Sequence, residues 1–460
     1  MEMTQTANKN IFDAVVSQAL CVGCGACLYS TPAGEARMAW NPEGFLVPQP
    51  QQPGAAGEES LKVCPFNPCP EEAVRTENEL AELFLTEAPR RHPRVGPYFD
   101  TYAGYSVQYR PASSSGGLAT YLMDRLLKSK TVDAVIAVKE GKEGREGKEA
   151  FYEYAVLQSS DELTGASKTR YYPVTLGGLM EQLRSGNRRY AVVGVACFIK
   201  AVRLLQQYHP ELREKIRFTI GIICGGLKSR FFAEYLAGRS GVNSRQFSAP
   251  QFRIKDSQST ASDYAYGCKD QKGQWHSIRM KTVGDMWGSG LFKNNACDFC
   301  DDVTAELADI SLGDAWLSPY KNDGRGTNVI VTRSRAAEEF IHQGIESRDL
   351  IVEPLAFDRF LHSQQGSFYH RQRALGYRMK QAGKQGWQLP PKRHDNEKTG
   401  LVAEQVQKQR SLLRQLSLTV WAATGDSALF DRALRKPLHK LKVLTKINRC
   451  LRSIQKGAGL

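Results

Sequence analysis

The chain lacks any segment that reads as an export signal: Met1 to Leu20 has no basic stretch leading into an apolar run. No apolar run approaches the ~20 residues that cross a bilayer. Both absences lead us to expect residence in the cytoplasm. In that compartment the 11 cysteines are not expected to pair as structural disulfides, so clustered ones read as metal ligands or catalytic thiols. The eight histidines are scattered without metal spacing and receive no role. There is no solenoid-type repeat. No base-reading or stacking motif accompanies the net charge of +14, so nucleic acid is not an expected partner. Acidic residues are scarce mainly in one place. From Leu401 to Leu460 there are 12 Lys plus Arg and 3 Asp plus Glu, a net +9, which leaves the body near ordinary balance. The full 460 residues have room for two or three domains.

The most specific signal that is present is Cys21-Val-Gly-Cys24-Gly-Ala-Cys27. Three thiolates at C-x2-C-x2-C wrap three corners of a 4Fe-4S cube, and the small residues between them let backbone amides approach the sulfurs. The fourth corner of a two-cluster ferredoxin would fall at position 31. Thr31 stands there, although Pro32 remains, and threonine is a poor ligand for a soft metal. The best fourth ligand is Cys64, in Val63-Cys64-Pro65, with Cys69 as fallback. Zinc is the rival, although its sites more often present paired C-x2-C knuckles. Glu71 to Thr86 reads as a helix and Ala88 to Pro97 as a linker.

Two strand-helix units run from Arg188 to Leu236. Arg189–Cys197 and Ile216–Cys224 are buried-type strands, each followed by an amphipathic segment, Phe198–Tyr208 and Lys228–Leu236. Such units place parallel strands with their carboxyl ends on one edge, where open α/β sheets bind ligands. Cys197 and Cys224 end these strands, which makes a metal or redox site, or simply two core cysteines. The loop Asn295-Ala-Cys297-Asp-Phe-Cys300 could complete a four-thiolate set with them, for a second 4Fe-4S cluster or for zinc.

Tyr102–Tyr109 reads as a strand, and Ser113-Ser114-Ser115-Gly116-Gly117 opens a helix to Lys128. Outward amides at such a junction suit a phosphate, though the same pattern also merely starts helices. Val132–Val138 is a further strand and Lys139–Glu149 a charged loop. Gly165-Ala-Ser167-Lys168 precedes a strand or turn at Arg170–Val174, and Lys168 is either solvated or set against a phosphate or flavin edge. Gln251–Met280 reads as a hairpin region. Ala308–Trp316 reads as a strand ending in a Gly-Asp turn whose carboxylates cap turns or border a pocket, and Gly326–Thr332 as one more strand. In the tail, helices are expected at Val402–Leu418 and Asp426–Gln455, the second kinked by Pro437. Its basic amphipathic face could lie on an anionic membrane, dock on an acidic partner, or be solvated.

Taken in order, these motifs resemble the coenzyme F(420) hydrogenase/dehydrogenase beta-subunit family of iron-sulfur flavoproteins. The likeness runs from Cys21 to Thr332, through Lys62-Val-Cys64-Pro65, Ser115-Gly116-Gly117, Ser167-Lys168, Gly194-Val-Ala-Cys197, Cys224-Gly-Gly, Cys297-Asp-Phe-Cys300 and Ala308–Asp314. The Val63–Pro68 ending and the basic tail are similar to the family's bacterial branch associated with polysaccharide biosynthesis. The resemblance implies an α/β fold in three parts: a ferredoxin-like module with one cluster (1–97), an α/β core of parallel strand-helix units carrying flavin and iron-sulfur groups (98–395), and a basic helical tail (396–460). It implies clusters on Cys21, Cys24, Cys27 and Cys64 and on Cys197, Cys224, Cys297 and Cys300. It also implies an FAD near Ser115, Gly116, Gly117, Ser167 and Lys168. The expected activity is an oxidoreductase that takes electrons from a ferredoxin-like donor or partner subunit and reduces an organic substrate. The alternatives are an accessory electron-transfer subunit in polysaccharide biosynthesis, or a protein with structural metals that modifies a glycan without redox chemistry.

Overall fold

The structure, a computed structural model, describes residues 10–52, 57–141 and 150–457. Most of the loop expected at Lys139–Glu149, part of Gln49–Ser60 and the first nine residues lie outside that set.

Among the described residues, fifteen strands form four sheets. Two are hairpins, β1 (Ala36–Trp40) with β2 (Leu46–Pro50) and β3 (Arg90–His92) with β4 (Gly96–Tyr98). The main sheet holds β5 (Thr101–Ser106), β6 (Ala134–Glu140), β7 (Tyr152–Leu157), β8 (Tyr190–Val195), β9 (Ile216–Ile222), β13 (Ile310–Asp314), β14 (Asn328–Thr332) and β15 (Leu350–Pro354). Its order is β15-β5-β14-β13-β9-β8-β6-β7. The four central strands β6, β8, β9 and β13 are mutually parallel, and the outer pairs are antiparallel. The remaining sheet is β10 (Ser248–Ile254), β11 (Ala265–Lys269) and β12 (Trp275–Arg279), at the expected hairpin region.

The period-2 alternation of the central strands divides their side chains between two cores. Ala134, Ile136 and Val192 face a core shared with Val15, Leu20, Val22, Leu61 and Val63 of the cysteine-bearing N-terminal segment. Val135, Ala137 and Ala191 face the helices Leu118–Lys128 and Arg335–Glu346 through Leu122, Leu126 and Ile341. The N-terminal segment therefore covers one face of the sheet directly. The tail helices, Leu401–Thr424 and Ser427–Gly457, pack Trp421, Phe430 and Leu434 against Phe232, Tyr235 and Phe292.

Several local expectations change. The segment Ala88–Pro97, read as a linker, contains the β3–β4 hairpin, with Pro97 on a strand that has one free edge. The helix expected over Glu71–Thr86 is interrupted, because Thr76 caps a new helix, Glu77–Phe84. Thr76 Oγ1 accepts from Asn78 N at 3.1 Å, and Glu79 accepts from Thr76 N at 2.7 Å. Arg170–Val174 forms no strand. The helix expected from Lys228 begins at Phe231, because Ser229 Oγ is engaged with the Glu43 carbonyl and Phe231 N. The last helix continues through Pro437. Among the described residues, no helix is long and apolar enough to cross a membrane.

Candidate metal and cofactor sites

The first cysteine loop is shaped by glycine. Gly23 and Gly25 take φ of +76° and +78°, and a Cβ on Gly25 would come within 2.3 Å of Thr175 Oγ1 and 2.5 Å of Gly177 N. Only glycine can hold such a left-handed, tightly overlaid turn at little cost. Gly23 N donates to Cys21 Sγ at 3.4 Å, and Leu176 N donates to the Cys24 carbonyl at 2.9 Å. Cys27 interacts electrostatically with Cys24, Cys21 and Cys64, so Cys64 is the fourth member of this group. Cys69 is exposed. Thr31 turns its hydroxyl to the Cys27 carbonyl at 2.8 Å, a backbone contact that leaves it no ligand role. Burial, with the Cys24 charge second, pushes the Cys21 thiol up to about 12, and burial pushes Cys24 up to about 11. Burial raises all four thiols, Cys27 and Cys64 furthest, so a bound cation would favour their thiolate forms.

The second group is assembled from three stretches of chain. Cys197 sits on the second residue of the helix Ala196–Tyr208 rather than at the end of β8, at the positive end of the helix dipole. Cys224 follows β9 by two residues, and the turn Gly225-Gly226 brings two amides onto sulfur. Gly226 N donates to Cys224 Sγ and Leu227 N to Cys297 Sγ, each at 3.2 Å. Cys297 lies on the short helical turn Asn295–Phe299 and Cys300 ends it; the turn is capped by Asn294, whose amide also donates to the Cys21 carbonyl at 2.9 Å. All four cysteines line one small cavity of about 10 Å³. Val22 and Phe66, neighbours of the first group, form part of its wall, and Cys24 acts electrostatically on Cys197. The two groups are thus adjacent. Among the described residues no group of His, Cys, Asp or Glu is arranged to hold a single metal ion.

No motif in the sequence announces the basic shell. Arg371, 6% exposed, reaches into the cavity. It donates to Cys300 Sγ, to the Cys224 carbonyl at 2.6 Å and to the Cys300 carbonyl at 3.2 Å. Lys293 pairs with Asp298, which also takes Arg414 from the tail at 3.0 Å. On the other side Lys200 pairs with Glu77 at 3.1 Å. In helical segments the spacing of such buried Lys and Arg looks like an exposed face. The carboxylates of Ala308–Asp314 do hold structure: Asp309 binds Arg203 and Thr219, and Asp314 binds Arg253.

The third candidate site joins the two loops singled out for FAD. Thr169 N, next to Lys168, donates to Ser114 Oγ at 2.9 Å. Gly117 has φ +83°, and a Cβ there would lie 2.6 Å from the Tyr109 carbonyl carbon. The Ser113 hydroxyl is buried without a hydrogen-bond partner. Lys255, which carried no sequence signal, donates to the carbonyls of Arg110, Ser115 and Arg325 at 2.5, 3.2 and 2.8 Å. Burial, then repulsion from Lys168, pulls Lys255 down to about 8. Burial, then Arg170, lowers Lys168. Cations crowded in this way fit an anionic ligand. Toward the second cysteine group stand Tyr171 and Trp287, rings 4.6 Å apart. Trp287 lies over Gly225, where a Cβ would meet it at 3.3 Å.

Comparison with known proteins gives the family of the chain. The family described as "Coenzyme F420 hydrogenase/dehydrogenase, beta subunit" matches with its N-terminal part at residues 101–181 and its C-terminal part at 187–357. One subunit of the F(420)H(2) dehydrogenase of Methanosarcina mazei is 22% identical over 352 residues, 74% of this chain and 86% of that protein. The beta subunit of the coenzyme F420 hydrogenase of Methanothermobacter thermautotrophicus is 24% identical over 57% of this chain and 86% of its own length. The coenzyme F420-dependent sulfite reductase of Methanocaldococcus jannaschii is 24% identical over 73% of this chain and 47% of that protein. A chain of the F420-reducing nickel-iron hydrogenase complex from Methanosarcina barkeri is similar with a TM-score of 0.47 and 19% identity, over 64% of this chain and 94% of that one. With more than half its length matched, the chain belongs to the coenzyme F420 hydrogenase/dehydrogenase beta-subunit family.

Proposed function

We propose that this protein is a cytoplasmic iron-sulfur flavoprotein oxidoreductase that takes electrons from a ferredoxin-like donor or a partner subunit and reduces an organic substrate. The observation that carries the reading is the adjacency of two four-cysteine groups, one of them around a cavity, beside a cationic cradle. In this reading Cys21, Cys24, Cys27 and Cys64 hold one 4Fe-4S cluster, and Cys197, Cys224, Cys297 and Cys300 a second. Ser115, Gly116, Gly117, Ser167 and Lys168 bind the pyrophosphate of FAD, with the charge of Lys255, held on three backbone carbonyls, behind them. The cation-rich walls and the partnerless Ser113 hydroxyl support an anionic ligand there, and the guanidinium of Arg371 on the Cys300 sulfur supports thiolates in the cavity. The clusters supply one-electron storage, and the flavin exchange between single electrons and pairs. The residues of the chain supply burial, amide donors to sulfur and fixed charge. The N-terminal module (1–97), core (98–395) and tail (396–460) divide these tasks.

The names of two relatives, each a subunit of a larger enzyme, favour a second reading: an accessory electron-transfer subunit with no substrate of its own. Anaerobically purified protein assayed with a reduced dye and candidate organic acceptors separates the two. Turnover by the isolated chain supports the first, and reduction of the flavin without turnover supports the second. Protein without flavin contradicts both.

We further propose that the outer face of the last helix rests on an anionic bilayer. Between Arg432 and Arg452 it carries eight Lys or Arg and no Asp or Glu. Val443, Ile447 and Leu451 are more than 40% exposed among them, while Phe430, Leu434 and Leu441 anchor the opposite face. Basic charge interleaved with exposed apolar side chains suits a headgroup surface. Lys440→Ala/Lys446→Ala should weaken sedimentation with phosphatidylserine vesicles by roughly 30-fold, from about 1 kcal/mol per lysine. Equal retention by phosphatidylcholine vesicles, or binding only to an acidic protein, contradicts this docking.

A further inference from the structure

The cavity of the second cysteine group contains one full positive charge with no carboxylate within ion-pairing distance among the described residues. That charge is Arg371, on the π-helical turn Tyr369–Arg373. Its nitrogens contact Cys300 Sγ, the Cys224 carbonyl and the Cys300 carbonyl, so the side chain is fixed by both ends of the cysteine group. Arg371 lies beyond residue 357, where the family match ends, so its role is not part of what the match carries. A widened π-turn is uncommon and often marks a functional position. Besides the cysteines, the buried Asp302 carboxylate acts on Arg371 from beyond ion-pairing distance, and a buried guanidinium is best held where an anion lies against it.

The first cysteine group is built differently. Lys200, whose charge acts on Cys64, pairs with Glu77 at 3.1 Å, and Glu77 also faces Arg393 at 3.7 Å. At the second group Lys293 and Arg414 share Asp298, and Arg371 places its guanidinium directly on the Cys300 sulfur. The two neighbouring groups therefore differ in a cation set directly on sulfur.

We propose that Arg371 is a positioning residue that sets the second iron-sulfur group at a higher reduction potential than it would otherwise have, and so makes it the electron acceptor relative to the first. This rests on the reading that Cys197, Cys224, Cys297 and Cys300 hold such a group. Adding one electron to a thiolate-ligated group adds one negative charge and nothing else. A buried cation beside the sulfur stabilises the reduced form more than the oxidised one, because the Coulomb energy scales with charge and is weakly screened in the interior. The three hydrogen bonds orient Cys300, and the charge acts through it.

The test is a potentiometric titration of the whole protein followed by electron paramagnetic resonance, with iron counted on the same samples. Cys24→Ser and Cys297→Ser assign the two midpoints. Arg371→Gln keeps donors but removes the charge. It should lower the second midpoint by at least tenfold in the reduction equilibrium, about 59 mV for one electron, and leave the first unmoved. Arg371→Lys should retain most of the wild-type value. If Arg371→Gln loses iron while Arg371→Lys keeps it, the charge is needed even to hold the group, which supports the proposal. Equal loss in both variants assigns Arg371 a shape role only and overturns it, as does an unchanged second midpoint in a fully loaded Arg371→Gln protein. A wild-type protein with iron in the first group alone overturns the reading beneath it instead.

Discussion

The two cysteine groups reach similar arrangements by opposite routes. In the first, three of four sulfurs come from seven consecutive residues, and two left-handed glycines fold the loop, Gly23 against Leu46 and Gly25 against Thr175 and Gly177. In the second, a helix start, a strand end and a C-x2-C turn converge because β8 and β9 are adjacent and parallel. The first is a local motif that a core supports. The second exists only once the sheet has formed, and it needs a buried cation, Arg371, from outside the strand-helix units. Local chemistry and assembled chemistry should therefore fail differently when broken.

The largest effect expected is on iron. Cys24→Ser and Cys297→Ser should each remove about four irons, one cube's content, and each should leave the other group's signal in place. Iron and sulfide analysis with paramagnetic resonance checks this; loss of all iron in either variant would mean that the groups are not separable. Next in size is the contrast between glycines. Gly25→Ala pushes a Cβ onto Thr175 and the Gly177 backbone, and should cost about 2–4 kcal/mol of stability from strain and overpacking. Gly226→Ala meets chiefly the flexible Lys293 stem at 3.0 Å, and should cost about 1–2 kcal/mol. Denaturant midpoints of the two variants test the ranking. The smallest effect concerns the cationic cradle proposed for FAD, also assembled from distant loops. Lys255, pulled down to about 8, is charged below that pH and neutral above it. FAD affinity should therefore fall several-fold as pH rises from 7 to 9, on the order of 1 kcal/mol for one surface-linked charge contact. Lys255→Met should abolish that step in fluorescence titrations.

What could be read from the residues follows the same division. The Cys21–Cys27 spacing marked a tight cysteine loop, and the apolar runs at Tyr190–Val195 and Ile216–Ile222 pointed to a parallel pair, which brought Cys197 and Cys224 together. Alternation located β13 and β14, and Ser113–Gly117 marked a helix start. Capping and edge pairing were less visible: Thr76 restarts a helix, and Arg90–Tyr98 pairs into a hairpin that its Pro and Arg content disguised as a linker. The basic shell was the least legible. Arg371, Lys255 and Lys293 become site residues only through tertiary placement, since nothing in their neighbours' periodicity separates a buried cation from a solvated one. The tail showed its helices and its charge, but not that Arg414 reaches Asp298 beside the C-x2-C turn.

The most direct test of the whole account is an anaerobic absorbance spectrum of the purified protein with iron, sulfide and flavin quantified on the same sample. The account predicts about eight irons, about eight sulfides and about one FAD per chain, the content of two cubes and one flavin. About four irons would reduce the second group to a zinc or structural set, and zinc without flavin would contradict the account altogether.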